Sequence, residues 1–203
     1  MFQHRGQHYE EVNFGSQDLR YGELLSCTFI RCAFANGSLE EIVSSSCRFV
    51  ECDFRGASLN GSIHTESAFE NCIFNGANLF SSKFEQCKMT GSDLTNATLD
   101  GITIVQGDWS YTNMRNTRLA RQDLRGVKWV EADLTGANLE KADLRDADLT
   151  MAVLANVKFQ GADVRGAMME GVDLKTFSMT GLRIDHDQAV LFAISHGAKV
   201  GSK

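Results

Sequence analysis

Large apolar residues recur at every fifth position along almost the whole chain. Stepping by five from Phe14 to Ile184 visits 35 positions, and 33 of them are Phe, Leu, Met, Ile, Val or Trp; Ser44 and His64 are the exceptions. Two residues before each centre, from Val12 to Val172, 29 of 33 positions carry Ala, Cys, Gly, Ser, Thr or Val, with Gln17, Ile42, Ile102 and Gln122 departing. Neither ordinary period fits, because a helix repeats at 3.6 residues and a plain strand at 2.0.

One large and one small residue, separated by a single position and repeated every five, predict a short bridge followed by a corner. Two residues after the centre fall 11 of the 18 glycines, with Asn36, Asn71, Asn96, Asn116 and Asn156 at the same phase. Both residue types tolerate the positive φ that the third position of a type II turn requires. A chain that corners after each unit closes into a stacked solenoid in which every coil rests on the previous one.

The units Ala132-Asp133-Leu134-Thr135-Gly136, Ala137-Asn138-Leu139-Glu140-Lys141 and Ala142-Asp143-Leu144-Arg145-Asp146 resemble the A(D/N)LXX motif of the pentapeptide-repeat family. That resemblance implies an all-β fold, a right-handed quadrilateral parallel β-helix with four units per 20-residue coil. The expected organisation is a lead-in over residues 1–13, a solenoid over 14–184 and a capping helix with tail over 185–203.

Residues 20 apart then stack roughly 4.8 Å apart, the usual spacing of neighbouring strands. Phe14, Phe34, Phe54 and Phe74 form one interior column, and Phe29, Phe49 and Phe69 another. Ser44 and His64 fall in one column as well, where two buried polar groups can satisfy each other. A nucleophile–base pair is the alternative, but no acid is placed to orient the histidine and no insertion forms a cleft. Cys27, Cys32, Cys47, Cys52, Cys72 and Cys87 all take the small inward phase. They read as buried free thiols acting as small apolar residues, rather than as a zinc site or disulfides.

The five-residue rule ends near Ile184. Asp185 or Asp187 can cap a helix over Ala189 to His196, stopped by Gly197. Ala189 to Ile194 leave only a narrow polar strip around Ser195, so this short helix needs apolar partners on more than one side. The last coil supplies one; a second copy of the chain supplies the other. The expected cap and homodimer interface comprises Phe177, Leu182, Val190, Leu191, Phe192 and Ile194, with a monomer bearing a local cap as the alternative.

Charge and composition narrow the functional classes. With 20 Lys and Arg against 26 Asp and Glu, the net charge of −6 argues against direct binding of nucleic acid or an acidic membrane. There is no apolar run of membrane-spanning length, and Met1 to Asn13 lacks the apolar core of a signal peptide, so the expected location is cytoplasmic. No nucleotide or metal-ligand motif is present, and neither a catalytic residue nor a cofactor is expected.

Within the family, Ser67-Ala68-Phe69-Glu70-Asn71-Cys72, Phe84-Glu85-Gln86-Cys87 and Asp187-Gln188-Ala189-Val190, followed by Phe192-Ala193 and His196-Gly197, resemble the mycobacterial fluoroquinolone-resistance members. The unbroken phase also resembles them rather than plasmid-borne members, whose coils carry projecting loops. That resemblance implies a dimeric rod that mimics duplex DNA, binds DNA gyrase and protects it from quinolones, with no chemistry of its own. The bottom-up support is electrostatic. The face centred on Leu24 carries eight carboxylates against five cations, and the neighbouring Phe29 face is also net negative. Glu85, Asp123, Asp143, Asp146, Asp163 and Asp185 are the expected gyrase-binding acids. The alternative is a repeat scaffold for a different protein partner.

Overall fold

The computed structural model describes residues 3–201, and they form a right-handed quadrilateral parallel β-helix closed by one short α-helix. Two sheets hold the strands long enough to name. β1 (Gln3–Arg5), β3 (Glu23–Leu25), β5 (Val43–Ser45), β7 (Ile63–Thr65), β9 (Lys83–Glu85) and β10 (Thr103–Val105) stack in that order on the Leu24 face. β2 (His8–Glu10), β4 (Thr28–Ile30), β6 (Arg48–Val50) and β8 (Ala68–Glu70) stack on the Phe29 face. Every pair is parallel in a register of 20, as in Gln3↔Glu23 and Phe49↔Phe69. Single bridges carry the same register onward, for example Asp143↔Asp163 and Asp163↔Arg183.

The solenoid starts earlier than the sequence predicts. β1 and β2 lie inside the expected lead-in and pair with β3 and β4, so the first coil is already built from Gln3. Tyr9 stacks on Phe29 with ring centroids 5.1 Å apart, extending the aromatic column by one level. The sequence signal there is weak because His4 and Tyr9 stand where later coils have aliphatic and phenyl centres. Met1 and Phe2 lie outside the described residues.

The centres fill the interior. Phe14, Phe34, Phe54 and Phe74 stack with ring centroids 5.0, 4.7 and 4.8 Å apart, nearly parallel within each column. Neighbouring columns meet edge to face, as Phe34 and Phe49 do at 6.0 Å. Both arrangements suit the aromatic quadrupole. From Leu119 onward the core turns mostly aliphatic, and Trp109 and Trp129 are fully enclosed in the intervening levels.

Corner chemistry departs from a uniform type II turn. On the Phe14 and Leu19 faces the N–H three residues after the centre donates to the centre's carbonyl, as in Ala57 to Phe54 at 3.0 Å, with Gly56 at φ 62°. At Leu24, Phe29, Ser44, Phe49, His64, Phe69, Phe84 and Ile104 no such bond closes the corner. The φ two residues on is still positive at these corners, so residues such as Ser26, Arg31, Glu51 and Glu66 adopt it too. A side chain one coil later holds most of these corners instead. The Ser92 hydroxyl accepts from the Cys72 N–H at 2.9 Å and donates to the Phe69 carbonyl at 2.9 Å. Ser67 accepts from the Cys47 N–H at 3.1 Å, and the thiols of Cys52, Cys72 and Cys87 donate to the carbonyls of Phe29, Phe49 and His64. The six cysteines are free and buried, as the sequence indicates, but they are more than small apolar fillers. The thiols of Cys32, Cys47, Cys52, Cys72 and Cys87 bridge corners that backbone alone leaves open.

Candidate interaction faces and C-terminal cap

The β-helix displays its side chains as ladders, because residues 20 apart point the same way. On the Leu24 face, each aspartate one residue before a centre meets an arginine one residue after it. Arg125, Arg145 and Arg165 each bring Nη2 within 2.6 Å of Asp123, Asp143 and Asp163, respectively. In all three pairs Nε also donates to the same carboxylate, giving a two-pronged contact. The cross-coil contacts are longer, 3.8 Å for Arg125 with Asp143 and 3.5 Å for Arg183 with Asp163. The guanidinium hydrogen bonds lower the carboxyl pKa of Asp123 and Asp143, and that of Asp163 falls to about 2.

The six acids expected at a binding face therefore divide. Asp123, Asp143 and Asp163 are neutralised in place. Glu85 is paired with Lys83 at 2.6 Å. Asp185 is consumed by structure: one carboxylate oxygen accepts from Gln188 N at 3.0 Å and the other from Gly166 N at 2.7 Å, and these bonds depress its pKa. Asp146 alone of the six has neither an ion pair nor a side-chain hydrogen bond, and it sits on a corner with φ 59°.

Among the described residues, Glu66 on the same row of corners is also without an ion pair, as are Glu51, Glu131, Asp148 and Glu170 on or beside the Phe29 face. Together with Glu23 and Asp108 on the same two faces, these carboxylates carry charge that no ion pair offsets. Their signal in the sequence is negative: none has a basic residue two positions away on the same outward row.

The C-terminal cap is built around α1 (His186–Ser195). It starts three residues before the expected Ala189, because Asp185 and Gln188 form a reciprocal capping box. The Gln188 amide also donates to the carbonyls of Val164 and Ala167, closing the last regular coil. Phe192 is buried and meets Phe177 edge to face at 6.0 Å, and Phe177 meets Phe159 at 5.1 Å. Leu182 packs against the core and Val190 is half-buried. Leu191 and Ile194 point outward, 43% and 52% exposed, onto a groove of about 700 Å³ shared with Met168, Val172 and Leu174. The six expected cap residues thus separate into an inner set, Phe177, Leu182 and Phe192, and an outer pair, Leu191 and Ile194, with Val190 between them.

Ser44 and His64 are sealed inside. The Ser44 hydroxyl lies 2.7 Å from His64 Nδ1, and Ser62 lies 2.9 Å from Nε2. Burial drives the His64 pKa down to about 3, so the ring is neutral, with one nitrogen donating and the other accepting. Among the described residues no carboxylate touches the pair, and both side chains are buried.

Square corners at five-residue intervals, a 20-residue register and ladders of outward side chains define a pentapeptide-repeat β-helix. Residues 47–86, 65–96, 72–103, 112–150 and 142–175 match the model of pentapeptide repeats, in eight copies, and together they cover more than half of the chain. The chain belongs to the pentapeptide-repeat family. Its fold is similar to that of QnrB1, a plasmid-mediated fluoroquinolone resistance protein. A trypsin-treated QnrB1 variant superposes with a TM-score of 0.87 at 19% identity, covering 98% of this chain and 100% of that one. Full-length QnrB1 gives 0.82 at 18% identity, covering 97% and 100%. HetL, a pentapeptide repeat protein involved in heterocyst differentiation regulation from the cyanobacterium Nostoc sp. strain PCC 7120, gives 0.53 at 23% identity, covering 89% of each chain. No curated protein matches the chain in sequence. No helix among the described residues is long and apolar enough to cross a membrane.

Proposed function

We propose that this protein is a DNA mimic that binds DNA gyrase, modulates its activity and protects it from fluoroquinolones, acting by binding alone. One observation carries the reading: a square rod of uninterrupted five-residue phase with uncompensated carboxylates along two adjacent faces, at Glu51, Glu66, Glu131, Asp146 and Glu170. The segments Ser67–Cys72 and Phe84–Cys87 and the tail from Asp187 resemble those of MfpA, the mycobacterial fluoroquinolone-resistance protein, and support the same partner. Duplex DNA carries about one charge per 1.7 Å of axis. The rod is far less charged, so it works through shape and sign together. A gyrase partner and six unpaired thiols both suit the cytoplasm.

The rod acts as a two-fold dimer joined through α1, which would cover Leu191, Ile194 and Met168 and align two solenoids into one longer column. Sedimentation of the full chain at micromolar concentration reads this directly, with Ile194→Glu expected to give monomers. A monomeric parent protein would remove the dimer.

The deciding experiment is gyrase supercoiling with and without a quinolone, paired with a pull-down against the two gyrase subunits. The triple variant Glu66→Lys, Glu131→Lys, Asp146→Lys should lose binding while staying folded. Unchanged binding in that variant would contradict the acidic-face model. A second reading, a scaffold for a different protein partner, is favoured by the arginine pairing of Asp123, Asp143 and Asp163. It predicts no effect on supercoiling.

A further inference from the structure

Apart from the irregular last coil, the ladder that joins successive coils is interrupted in mid-rod. Between residues 96–106 and 116–126, the backbone N–H groups of Leu99, Gly101, Ile104 and Gln106 find no carbonyl in the next coil, and those of Arg118 and Asp123 find none in the previous one. Neither Thr98↔Arg118 nor Thr103↔Asp123 forms a bridge. The equivalent bonds one coil earlier, from Leu79, Ser81, Gln86, Thr98 and Thr103, are all present. So are those one coil later, from Leu119, Arg121, Leu124, Gly126, Asn138 and Asp143. The gap starts at the Asn96 corner, whose N–H also finds no carbonyl in the next coil, and runs across the Leu19 and Leu24 faces. On the other two faces the rungs on either side of it hold, as in Leu94 to Asn113 at 2.9 Å and Trp109 to Lys128 at 2.8 Å. A groove of about 570 Å³ opens there, lined by Thr103, Val105, Gln106, Asp123, Arg125 and Asp146.

Three features of the sequence converge on this place. On the Leu24 face, corners change from the open kind at Ile104 to the closed kind at Leu124, where Val127 donates to the Leu124 carbonyl. The hydroxyl or thiol that bridges open corners runs out, because Gly107 and Val127 stand where a bridging side chain would follow Phe84 and Ile104. Gly107 has φ 96°, and a Cβ there would lie 2.3 Å from the Cys87 carbonyl oxygen, so no side chain can be restored at that position. On the wall opposite the Leu19 face stand the two tryptophans, Trp109 and Trp129, whose indole N–H groups have no partner among the described residues. Their bulk fills levels that other coils close with smaller centres.

In a solenoid each coil touches only its neighbours, so stiffness at any level depends on that one interface. We infer that the rod is jointed between Asn96 and Gly126, bending by opening and closing the Leu19 and Leu24 faces while the Phe14 and Phe29 faces act as the hinge. Two stiff segments result, one with aromatic columns and bridged corners and one with an aliphatic core and closed corners. The joint lets a rod of fixed length follow a curved partner surface, whatever the identity of that partner.

Amide hydrogen exchange and spin-label distances on the full chain test this together. Locally open groups exchange at the low-stability end of a structure. The amides of Leu99, Gly101, Ile104, Gln106, Arg118 and Asp123 should exchange on the order of a hundredfold faster than Leu79, Ser81, Phe84, Gln86, Thr98 and Thr103. Labels at Ser58→Cys and Lys158→Cys, on the opening wall, should give a broader distance distribution than labels at Arg48→Cys and Asp148→Cys, on the hinge wall; the six native thiols are buried. Equal protection across the six pairs would overturn the joint. Fast exchange with two equally narrow distributions would overturn the bending.

Discussion

Ser44 and His64 stand one above the other in successive coils, the hydroxyl 2.7 Å from Nδ1, in a column whose other centres from Leu24 to Ile184 are apolar. Burial holds the imidazole neutral, with its pKa lowered to about 3. The folded-state value lies below the unfolded one, so the unfolded chain binds the extra proton as pH falls below about 6.5. Stability is full above that value and declines between it and the folded pKa. Between pH 7 and pH 5 the parent protein should lose about 2 kcal/mol more than His64→Phe, read from urea midpoints at the two pH values. Parallel losses would mean that His64 is not neutral in the fold.

Ser92 tests the bridged corners. Its hydroxyl sits between the Cys72 N–H and the Phe69 carbonyl, so Ser92→Ala leaves both buried groups unpaired. The expected cost is about 1–3 kcal/mol. Ser92→Cys, which keeps a donor and an acceptor, should recover part of that loss. If the two variants are equally stable in denaturant titrations, the corners do not depend on the bridge.

The cap should respond to Gln188 more than to any other residue of α1 except Phe192. Gln188→Ala removes the donor to the carbonyls of Val164 and Ala167 and half of the box with Asp185. A loss of about 1–3 kcal/mol follows from the orphaned carbonyls. Proteolysis should begin at the C-terminal end of the rod in this variant, whereas Leu191→Ser should leave the proteolysis pattern unchanged.

Asp163 is held by Arg165, with Arg183 beyond it, and its pKa falls to about 2. A depressed carboxyl contributes stability above its unfolded value, lost as pH falls through the folded one. Asp163→Asn should therefore be less stable than the parent at pH 7 and converge with it as the pH drops from about 4 towards 2. A constant difference across that range would show that the pair does not stabilise the fold.

Much of this architecture is written in the chain. The phase of Phe14, Phe34 and Phe54 gives the interior columns, and the positive φ falls where Gly56, Asn71 and Asn116 sit. The first coil is hidden because His4 and Tyr9 break the pattern of centres. The open corners are hidden for a different reason: Cys52 and Ala57 look equivalent as small inward residues, yet one bonds a carbonyl of the previous coil and the other lies on a backbone-closed turn. The face charges are legible as totals, whereas the two-residue pairing of Asp143 with Arg145 decides which carboxylates remain free. The mid-rod gap has a marker in Gly107, but a glycine at the small phase also occurs at Gly22 and Gly37, where the pairs Glu23↔Val43 and Ser38↔Ser58 still form.

The corner at every fifth residue also fixes how such a molecule can change length. Inserting or deleting twenty residues adds or removes one storey, about 4.8 Å, and leaves every façade aligned. Five residues instead turn everything downstream by a quarter revolution about the axis, α1 included. In a two-fold pair that would swing the carboxylate-bearing walls of the two copies out of line with each other. Viable length variants should therefore come in multiples of twenty.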